Sequence, residues 1–211
     1  YALSPAFLTD ESAADAANVL SENPFETQNR IFSTISPEQS GPVYIPAVSS
    51  LSVQNMTVIP GEKQTEYLRT DSAKTGSVSY TVEITEEKPL YFYLPAPYIQ
   101  ESELFVNGSS AGDYLDTLHW QILYLGQFRK GELVNVTLQP KGNGVILGDA
   151  YFYYEEESVL ADSCDALQKI TLDKISSSHL KGTVSVGRDR RAVFLTIPYD
   201  EGWRIKVDGK E

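Results

Sequence analysis

The sequence has few residues of the types that cross-link a chain or bind metals. Its 211 residues include one cysteine, one methionine and two histidines. A single cysteine excludes an internal disulfide, so the fold has no disulfide framework. His119 and His179 lie 60 residues apart, whereas zinc sites usually take several His or Cys ligands. We therefore expect neither a metal ion nor a cofactor.

Basic residues and long apolar segments are also scarce. Lys and Arg number 17 against 29 Asp and Glu, which gives a formal net charge of −12. Nucleic-acid binding depends on clustered basic side chains, so this charge argues against a nucleic-acid partner. It also disfavours unaided docking on an anionic lipid surface. The longest apolar-rich stretch, residues 89–99, contains three prolines, and no segment approaches the roughly 20 apolar residues that span a bilayer.

Recognisable catalytic motifs are missing as well. The sequence has no Gly-x-Ser-x-Gly nucleophile elbow and no phosphate-binding loop. Cys164 lies beside Asp165 in a predicted helix, where an acidic neighbour disfavours a reactive thiolate, so an inert core position is the favoured interpretation. We expect no catalytic residue. A secreted glycoside hydrolase remains an alternative, because its paired carboxylates are brought together by the fold and leave no spacing signal.

Aromatic residues are abundant, with 13 Tyr, eight Phe and two Trp. Runs at 91–93 (YFY) and 151–154 (YFYY) place rings on both faces of their predicted strands. Exposed rings on a β-sandwich commonly stack on sugars or peptides. The alternative is that flanking helices or a second β unit cover this second face. The candidate binding residues are Trp120, Tyr124, Tyr151 and Tyr153.

The hydrophobic pattern predicts a mainly β protein with short helices, organised in four segments. Residues 1–42 comprise an N-terminal helical segment and a linker rich in Pro and Ser. Residues 43–154 alternate apolar and polar positions between turn signals. This pattern predicts an antiparallel β-sandwich or jelly roll of the galactose-binding-like type. Residues 155–174 form a connecting helix, and residues 175–211 start a second, incomplete β unit.

The same patterns predict the individual elements. One helix is predicted over residues 11–20, and a second has Asn23 as its N-cap and stops before Pro37. Turn chemistry at Asn107-Gly108 separates two of the strands. The predicted strands are 51–59, 76–84, 90–94, 103–106, 119–125, 133–138 and 145–154 in the sandwich, and 183–186, 192–197 and 203–207 beyond it.

The C-terminal residues 197–210 (IPYDEGWRIKVDGK) carry a structural motif. Pro198 ends one strand because it lacks an N–H group, and Gly202 permits the turn into the next. Trp203 begins that next strand, and its side chain is expected in the hydrophobic core. Asp208-Gly209 is a type I′ hairpin signal. The chain ends two residues later and begins without an initiator Met or signal peptide, which favours a fragment whose return strand lies elsewhere.

Two stretches of the chain carry specific motifs. Residues 198–210 have the pattern P-Y-x-x-G-W-x-x-x-V-D-G-K, and residues 23–29 have the pattern N-P-F-x-x-Q-N. Both resemble motifs of the YfhO family of bacterial membrane proteins. The intervening residues 104–108 (LFVNG) and 125–132 are similar in style to the same family. The resemblance therefore covers nearly the whole chain.

The resemblance implies a location and a class of function. Members of the family are polytopic membrane proteins with a large extracytoplasmic region. They resemble GT-C glycosyltransferases that use polyprenyl-phosphate sugar donors, and some are linked to teichoic-acid decoration. The catalytic acid of that fold lies among N-terminal membrane helices, so no catalytic residue carries over to this chain. The implied role is that of a non-catalytic domain on the extracytoplasmic face of the bacterial membrane.

The resemblance implies one of two roles, each with its own partner: the domain supports the transmembrane part of the same parent chain, or it orients an envelope glycopolymer as acceptor. A chain of charge −12 repels polyanionic teichoic acid unless its binding patch is locally basic. Arg129, Lys130 and Lys141 lie near predicted turns and are the candidates for such a patch. The alternative is an envelope interaction or structural module with no sugar role.

Overall fold

The computed structural model describes residues 6–9, 21–36, 40–117, 121–176, 178–186, 192–195 and 201–210. Within these residues lie two helices, α1 (Pro24–Ile35) and α2 (Glu157–Ala166). The strands, in chain order, are β1 (Ala6–Thr9), β2 (Tyr44–Pro46), β3 (Ser49–Gln54), β4 (Met56–Pro60), β5 (Thr65–Arg69), β6 (Ser77–Glu83), β7 (Pro89–Tyr93), β8 (Ser102–Val106), β9 (Ser109–Tyr114), β10 (Leu123–Gln127), β11 (Leu133–Pro140), β12 (Gly144–Leu147), β13 (Tyr151–Glu155), β14 (Gln168–Lys169), β15 (Thr171–Ser176), β16 (His179–Thr183) and β17 (Ala192–Leu195).

The chain divides into two compact units. One, which we call the sandwich unit, comprises Ser21–Gln28 and Pro42–Glu157. The other, the terminal unit, comprises Tyr1–Leu20, Asn29–Gly41 and Ser158–Glu211. The segment boundaries predicted from sequence remain a prediction.

Three antiparallel sheets build the sandwich unit. A five-stranded sheet has the order β3-β6-β11-β8-β9, a four-stranded sheet the order β10-β7-β13-β2, and a three-stranded sheet the order β12-β5-β4. The mainly β, antiparallel architecture predicted from the hydrophobic alternation is confirmed. The predicted strand 145–154 is in fact two strands, β12 and β13, which belong to different sheets. They are separated where the Gly148 N–H donates to the Pro95 carbonyl.

The core lies between the five-stranded and four-stranded sheets. Alternation along β6 directs Val78, Tyr80 and Val82 inward, and all three are buried. The ring centroid of Tyr80 lies 6.4 Å from that of Phe92 and 6.0 Å from that of Phe152, which are on the opposite sheet. Burial of one such side chain contributes roughly 1.5–3 kcal/mol. This packing defines which face of the four-stranded sheet is internal.

Local chemistry explains the turn between β8 and β9. Asn107 and Gly108 have φ angles of 50° and 79°, and a type I′ turn requires positive φ at both central residues. Asn and Gly tolerate this conformation better than other residues. The turn predicted from the Asn-Gly pair is confirmed.

Helix α1 begins as the sequence predicts. The Asn23 side chain accepts a hydrogen bond from the Phe25 N–H at 3.0 Å, which is the geometry of an N-cap. The helix ends at Ile35, before Pro37. The helix predicted over residues 11–20 lies outside the described residues. Neither α1 nor α2 has the length and apolar character that a membrane span requires.

The terminal unit differs from its predicted elements in several places. Residues 6–9 form β1, paired with β14 and β17, so the helical interpretation of this stretch is wrong. A short apolar run does not distinguish helix from strand by periodicity, and here partners distant in sequence decide. Helix α2 ends at Ala166, and a hairpin of β15 and β16 follows. Of the predicted strand 183–186, only Thr183 belongs to a strand.

The C-terminal motif is less regular than predicted. Among the described residues, 203–206 belong to no strand, and Val207 forms an isolated bridge with Lys210. Asp208 and Gly209 have φ angles of 51° and 78°, as in a type I′ turn. Trp203 is 36% exposed rather than buried in the core. Gly202 lies in the turn before Trp203, and Pro198 lies outside the described residues.

Candidate functional site

Tyrosines cover the outer face of the four-stranded sheet. In β7, Leu90 and Phe92 point into the core, so Tyr91 and Tyr93 lie on the opposite face. The register places Tyr93 beside Tyr151 of β13, and Tyr91 between residues of β13 and β10. We call this surface the tyrosine face. It consists of Tyr44, Tyr91, Tyr93, Tyr124, Tyr151 and Tyr153.

The rings of the tyrosine face support one another across the strands. The centroids of Tyr91 and Tyr124 are 5.3 Å apart, and those of Tyr93 and Tyr151 are 6.3 Å apart, with 23° between the latter ring planes. Tyr44 meets Tyr91 edge-on, at 5.9 Å and 87°. Cross-strand aromatic pairs of this kind stabilise a sheet and restrict side-chain rotation. The orientations of the rings are therefore set by the protein itself.

The first turn of α1 covers one end of the tyrosine face. Phe25 is fully buried, and its ring stacks on that of Tyr153 with 4.4 Å between centroids and 17° between planes. The Asn23 side-chain amide donates a hydrogen bond to the Tyr153 hydroxyl at 2.7 Å. Phe25 also contacts Tyr44, at a centroid distance of 5.2 Å. Tyr153 is left only 8% exposed.

The other end of the tyrosine face is open. Tyr124 is 59% exposed, and Tyr91, Tyr93 and Tyr151 are half-buried. These four rings offer apolar surface together with hydroxyl groups. We call them the open tyrosines.

The hydroxyls of three open tyrosines hold their protons more firmly than usual. Burial, followed by the nearby Glu155 carboxylate, raises the pKa of Tyr91 to about 12. Burial also raises the pKa of Tyr93, and burial together with the acidic neighbour Asp149 raises the pKa of Tyr151. These groups therefore stay neutral at physiological pH and both donate and accept hydrogen bonds.

The structure brings together three of the four candidate binding residues. Tyr124 and Tyr151 belong to the open tyrosines, whereas Tyr153 is covered by Phe25 and Asn23. Trp120 lies outside the described residues. Tyr91 and Tyr93 were not among the candidates, although the YFY run at 91–93 carries the same alternation signal as residues 151–154.

Each of the three basic candidates has a carboxylate nearby. The Lys141 ammonium lies 2.8 Å from an Asp113 carboxylate oxygen and 4.0 Å from one of Glu101. The backbone N–H groups of Arg129 and Lys130 each donate to a glutamate carboxylate. Acidic groups therefore accompany all three. In the described part of the chain, no group of three or more His, Cys, Asp or Glu side chains is arranged to hold a metal ion.

Comparison with protein families decides the family of the chain. The model described as "Bacterial membrane protein YfhO" matches residues 1–211, which is the whole chain. The chain belongs to the YfhO family. The resemblance read from the N-terminal and C-terminal motifs is confirmed. Among curated proteins, none matches this YfhO sequence.

Several solved structures are similar to part of this YfhO chain. A GH26-CBM35 β-(1,4)-mannanase of Podospora anserina has 12% identity and a TM-score of 0.34, over 53% of this chain and 28% of the mannanase. The insecticidal crystal protein Cry2Aa has 9% identity and a TM-score of 0.33, over 54% of this chain and 21% of its own. TmCBM61, solved with β-1,4-galactotriose, has 12% identity and a TM-score of 0.32, over 51% of this chain and 88% of its own.

Proposed function

We propose that this chain is a non-catalytic extracytoplasmic domain of a polytopic, glycosyltransferase-like membrane protein, and that its tyrosine face orients a glycan acceptor of the cell envelope. The observation that carries the proposal is the group of four open tyrosines on one sheet face. Membership of a bacterial membrane-protein family supports the membrane setting.

Sugar rings are chemically suited to this surface. A pyranose presents an apolar C–H face and a rim of hydroxyls, and a tyrosine offers a matching apolar ring with a polar tip. Because Tyr91 packs against Tyr124 and Tyr93 against Tyr151, the rings lose little rotational freedom when a ligand binds. Such preorganisation lowers the entropic cost of binding.

Charge favours an uncharged stretch of glycan over a polyanion. Tyr44 donates a hydrogen bond to the Glu155 carboxylate at 3.4 Å, and Asp149, Glu22 and Glu26 act electrostatically on Tyr151. These carboxylates repel phosphate groups of a teichoic-acid backbone. The acceptor portion in contact with the open tyrosines is therefore a neutral sugar segment.

A glycan array followed by calorimetry tests this proposal. The 211-residue chain is expected to bind neutral envelope glycans with a dissociation constant on the order of 0.1–1 mM. Tyr93→Ala and Tyr124→Ala should each weaken binding by about three- to tenfold, in line with the energy of an aromatic contact. Leu133→Ala is the matched control, because Leu133 is 58% exposed, as Tyr124 is, but lies on the five-stranded sheet.

Two results would contradict acceptor binding by the tyrosine face. One is the absence of any bound glycan with the unaltered chain. The other is that both tyrosine variants bind as tightly as Leu133→Ala. Either result favours the alternative of an envelope module with no sugar role.

The side of the membrane is tested in cells. Cys164 is buried and is the sole cysteine of the chain, so Leu133→Cys in the parent protein adds an exposed thiol. A membrane-impermeant maleimide should label this variant in intact cells more than the parent protein without the substitution. Additional labelling only after lysis would place the domain on the cytoplasmic side.

A further inference from the structure

A surface cavity of the sandwich unit lies between β5, β12 and residues 98–101, on a different sheet from the tyrosine face. Its volume is about 410 Å³, within the roughly 300–1,000 Å³ of small-molecule pockets. Its apolar lining comes from Leu68, Val145 and Ile146, and Tyr98, Glu66 and Glu101 contribute ring and carboxylate groups. The cavity thus combines an apolar surface with charged and amide side chains.

Hydrogen bonds hold the walls of the cavity in place. The Gln100 side-chain amide donates to the Ile146 carbonyl at 2.8 Å and accepts from the Ile146 N–H at 2.6 Å. The Arg69 guanidinium donates to the carbonyls of Pro140 and Gly142, at 2.9 and 2.8 Å. Residue 100 is therefore held to β12, and residues 140–142 are held to β5, so the cavity is preformed.

Two groups at the cavity are available for a ligand. Tyr98 is 50% exposed, and within the described ranges no ring packs on it and no group hydrogen-bonds to its hydroxyl. The Glu66 carboxylate has no hydrogen-bond or ion-pair partner in the same ranges. The Lys141 ammonium, in contrast, is already paired with Asp113.

The local charge selects against anions. The charged side chains that line the cavity are Glu66, Glu101 and Lys141, so its lining carries one net negative charge. Carboxylates accept hydrogen bonds from hydroxyl donors, and an exposed tyrosine ring stacks on an apolar face. An uncharged ring with many hydroxyls satisfies both groups.

We propose that this cavity binds one uncharged pyranose unit, with Tyr98 stacked on the apolar face of the sugar and Glu66 accepting hydrogen bonds from its hydroxyls. The site goes beyond the acceptor role of the tyrosine face, because it adds a second contact point for saccharide on another sheet. It does not depend on the open tyrosines, so each site is tested by its own variants.

Amide-detected NMR titration of the 211-residue chain tests the cavity. The probes are the methyl pyranosides of glucose, galactose and N-acetylglucosamine, with glucuronate as the anionic comparison. Resonances of Tyr98, Glu101, Gly142 and Ile146 should shift, with a dissociation constant on the order of 1 mM for at least one neutral probe. Glucuronate should bind more weakly than the glucoside.

Variants separate stacking from hydrogen bonding. Tyr98→Ala should weaken binding at these resonances by about tenfold, whereas Tyr98→Phe, which keeps the ring, should stay within about threefold of the unaltered chain. Glu66→Gln should weaken binding by about threefold. Tyr124→Ala, on the tyrosine face, should leave these shifts unchanged.

Three outcomes would overturn the cavity site: no shift at these resonances with any neutral probe, equal affinity in Tyr98→Ala, or tighter binding of glucuronate than of the glucoside. None of these outcomes tests acceptor binding by the tyrosine face. That proposal is tested by Tyr93→Ala and Tyr124→Ala. Shifts confined to Tyr91, Tyr93, Tyr124 and Tyr151 would refute the cavity and leave the acceptor proposal standing.

Discussion

Asn23 ties the start of α1 to Tyr153 through both ends of its side-chain amide. The nitrogen donates to the Tyr153 hydroxyl at 2.7 Å, and the oxygen accepts from the Phe25 N–H at 3.0 Å. Asn23 is 5% exposed, and its partner hydroxyl belongs to a residue 130 positions away. One buried side chain therefore serves both as helix cap and as long-range contact.

Asn23→Ala should lower the free energy of unfolding by about 2 kcal/mol. Loss of the cap costs about 1 kcal/mol, and loss of the hydrogen bond to the Tyr153 hydroxyl costs about as much again. Tyr153→Phe removes only the second contribution. Urea denaturation of both single variants and the double variant measures the coupling, and an Asn23→Ala effect no larger than that of Tyr153→Phe would exclude the capping role.

Alkaline pH should destabilise the fold between about pH 10 and pH 12. Burial raises the pKa of Tyr114 and of Tyr91 to about 12, whereas an unfolded tyrosine titrates near 10. In this window the unfolded chain has lost these protons and the folded chain retains them, so stability falls as pH rises. Urea midpoints measured below pH 10 and at about pH 11 check the direction. Tyr91→Phe should reduce the fall, and an unchanged fall in this variant would refute the assignment to Tyr91.

Gly126 controls the course of β10 beside Tyr124. The strand register shifts between these two residues, and Gly126 has a φ of 127°, which other residues rarely adopt. A Cβ there would also lie 3.3 Å from the Phe128 ring. Gly126→Ala should cost about 1–3 kcal/mol of stability and weaken glycan binding through Tyr124.

Gly142→Ala is the control for this substitution, because a Cβ at Gly142 meets no atom within 4 Å and its φ lies outside the left-handed region. Its unfolding free energy should stay within about 0.5 kcal/mol of the unaltered chain. Equal stability of the two alanine variants would contradict the strain at Gly126.

Asn55 joins β3 to β4 in a left-handed conformation, with a φ of 51°. Its side-chain nitrogen donates to the carbonyls of Asp71 and Lys74, both at 2.9 Å, and its oxygen accepts from the Asp71 N–H. Asn55→Gly tolerates the backbone conformation but loses the side-chain hydrogen bonds. Asn55→Ala loses the same hydrogen bonds and also disfavours the positive φ. The alanine variant should be less stable than the glycine variant by about 1 kcal/mol in thermal or urea unfolding, and the reverse order would refute the role of the φ angle.

Strands with a clear period of two could be predicted from sequence, whereas pairing partners could not. The alternation over residues 76–84 corresponds to β6, and the predicted strand 90–94 corresponds to β7. The run 145–154 looked continuous, but the contact of Gly148 with Pro95 separates β12 from β13. Likewise, β1 is a strand because β14 and β17 lie beside it. Such contacts join residues far apart in the chain, so local periodicity does not predict them.

The sequence likewise predicted only part of the candidate site. Alternation in residues 151–154 indicates that Tyr151 and Tyr153 share a face, which the register of β13 shows. That Phe25 covers Tyr153 and leaves Tyr151 half-buried depends on where the first turn of α1 packs on the sheet. The cavity beside Tyr98 had no sequence signal, because it is assembled from turns and from strands of separate regions.

The Gln100 side chain forms part of the cavity wall by pairing with β12 as a strand residue would. A primary amide carries the same donor and acceptor as a peptide group, so its pair of hydrogen bonds to Ile146 extends the sheet by the equivalent of one residue. The flanking positions Tyr98 and Ile99 are about half exposed and are not committed to a ladder. Tyr98 lines the cavity, so a substitution there changes the cavity surface while the anchor at Gln100 is preserved.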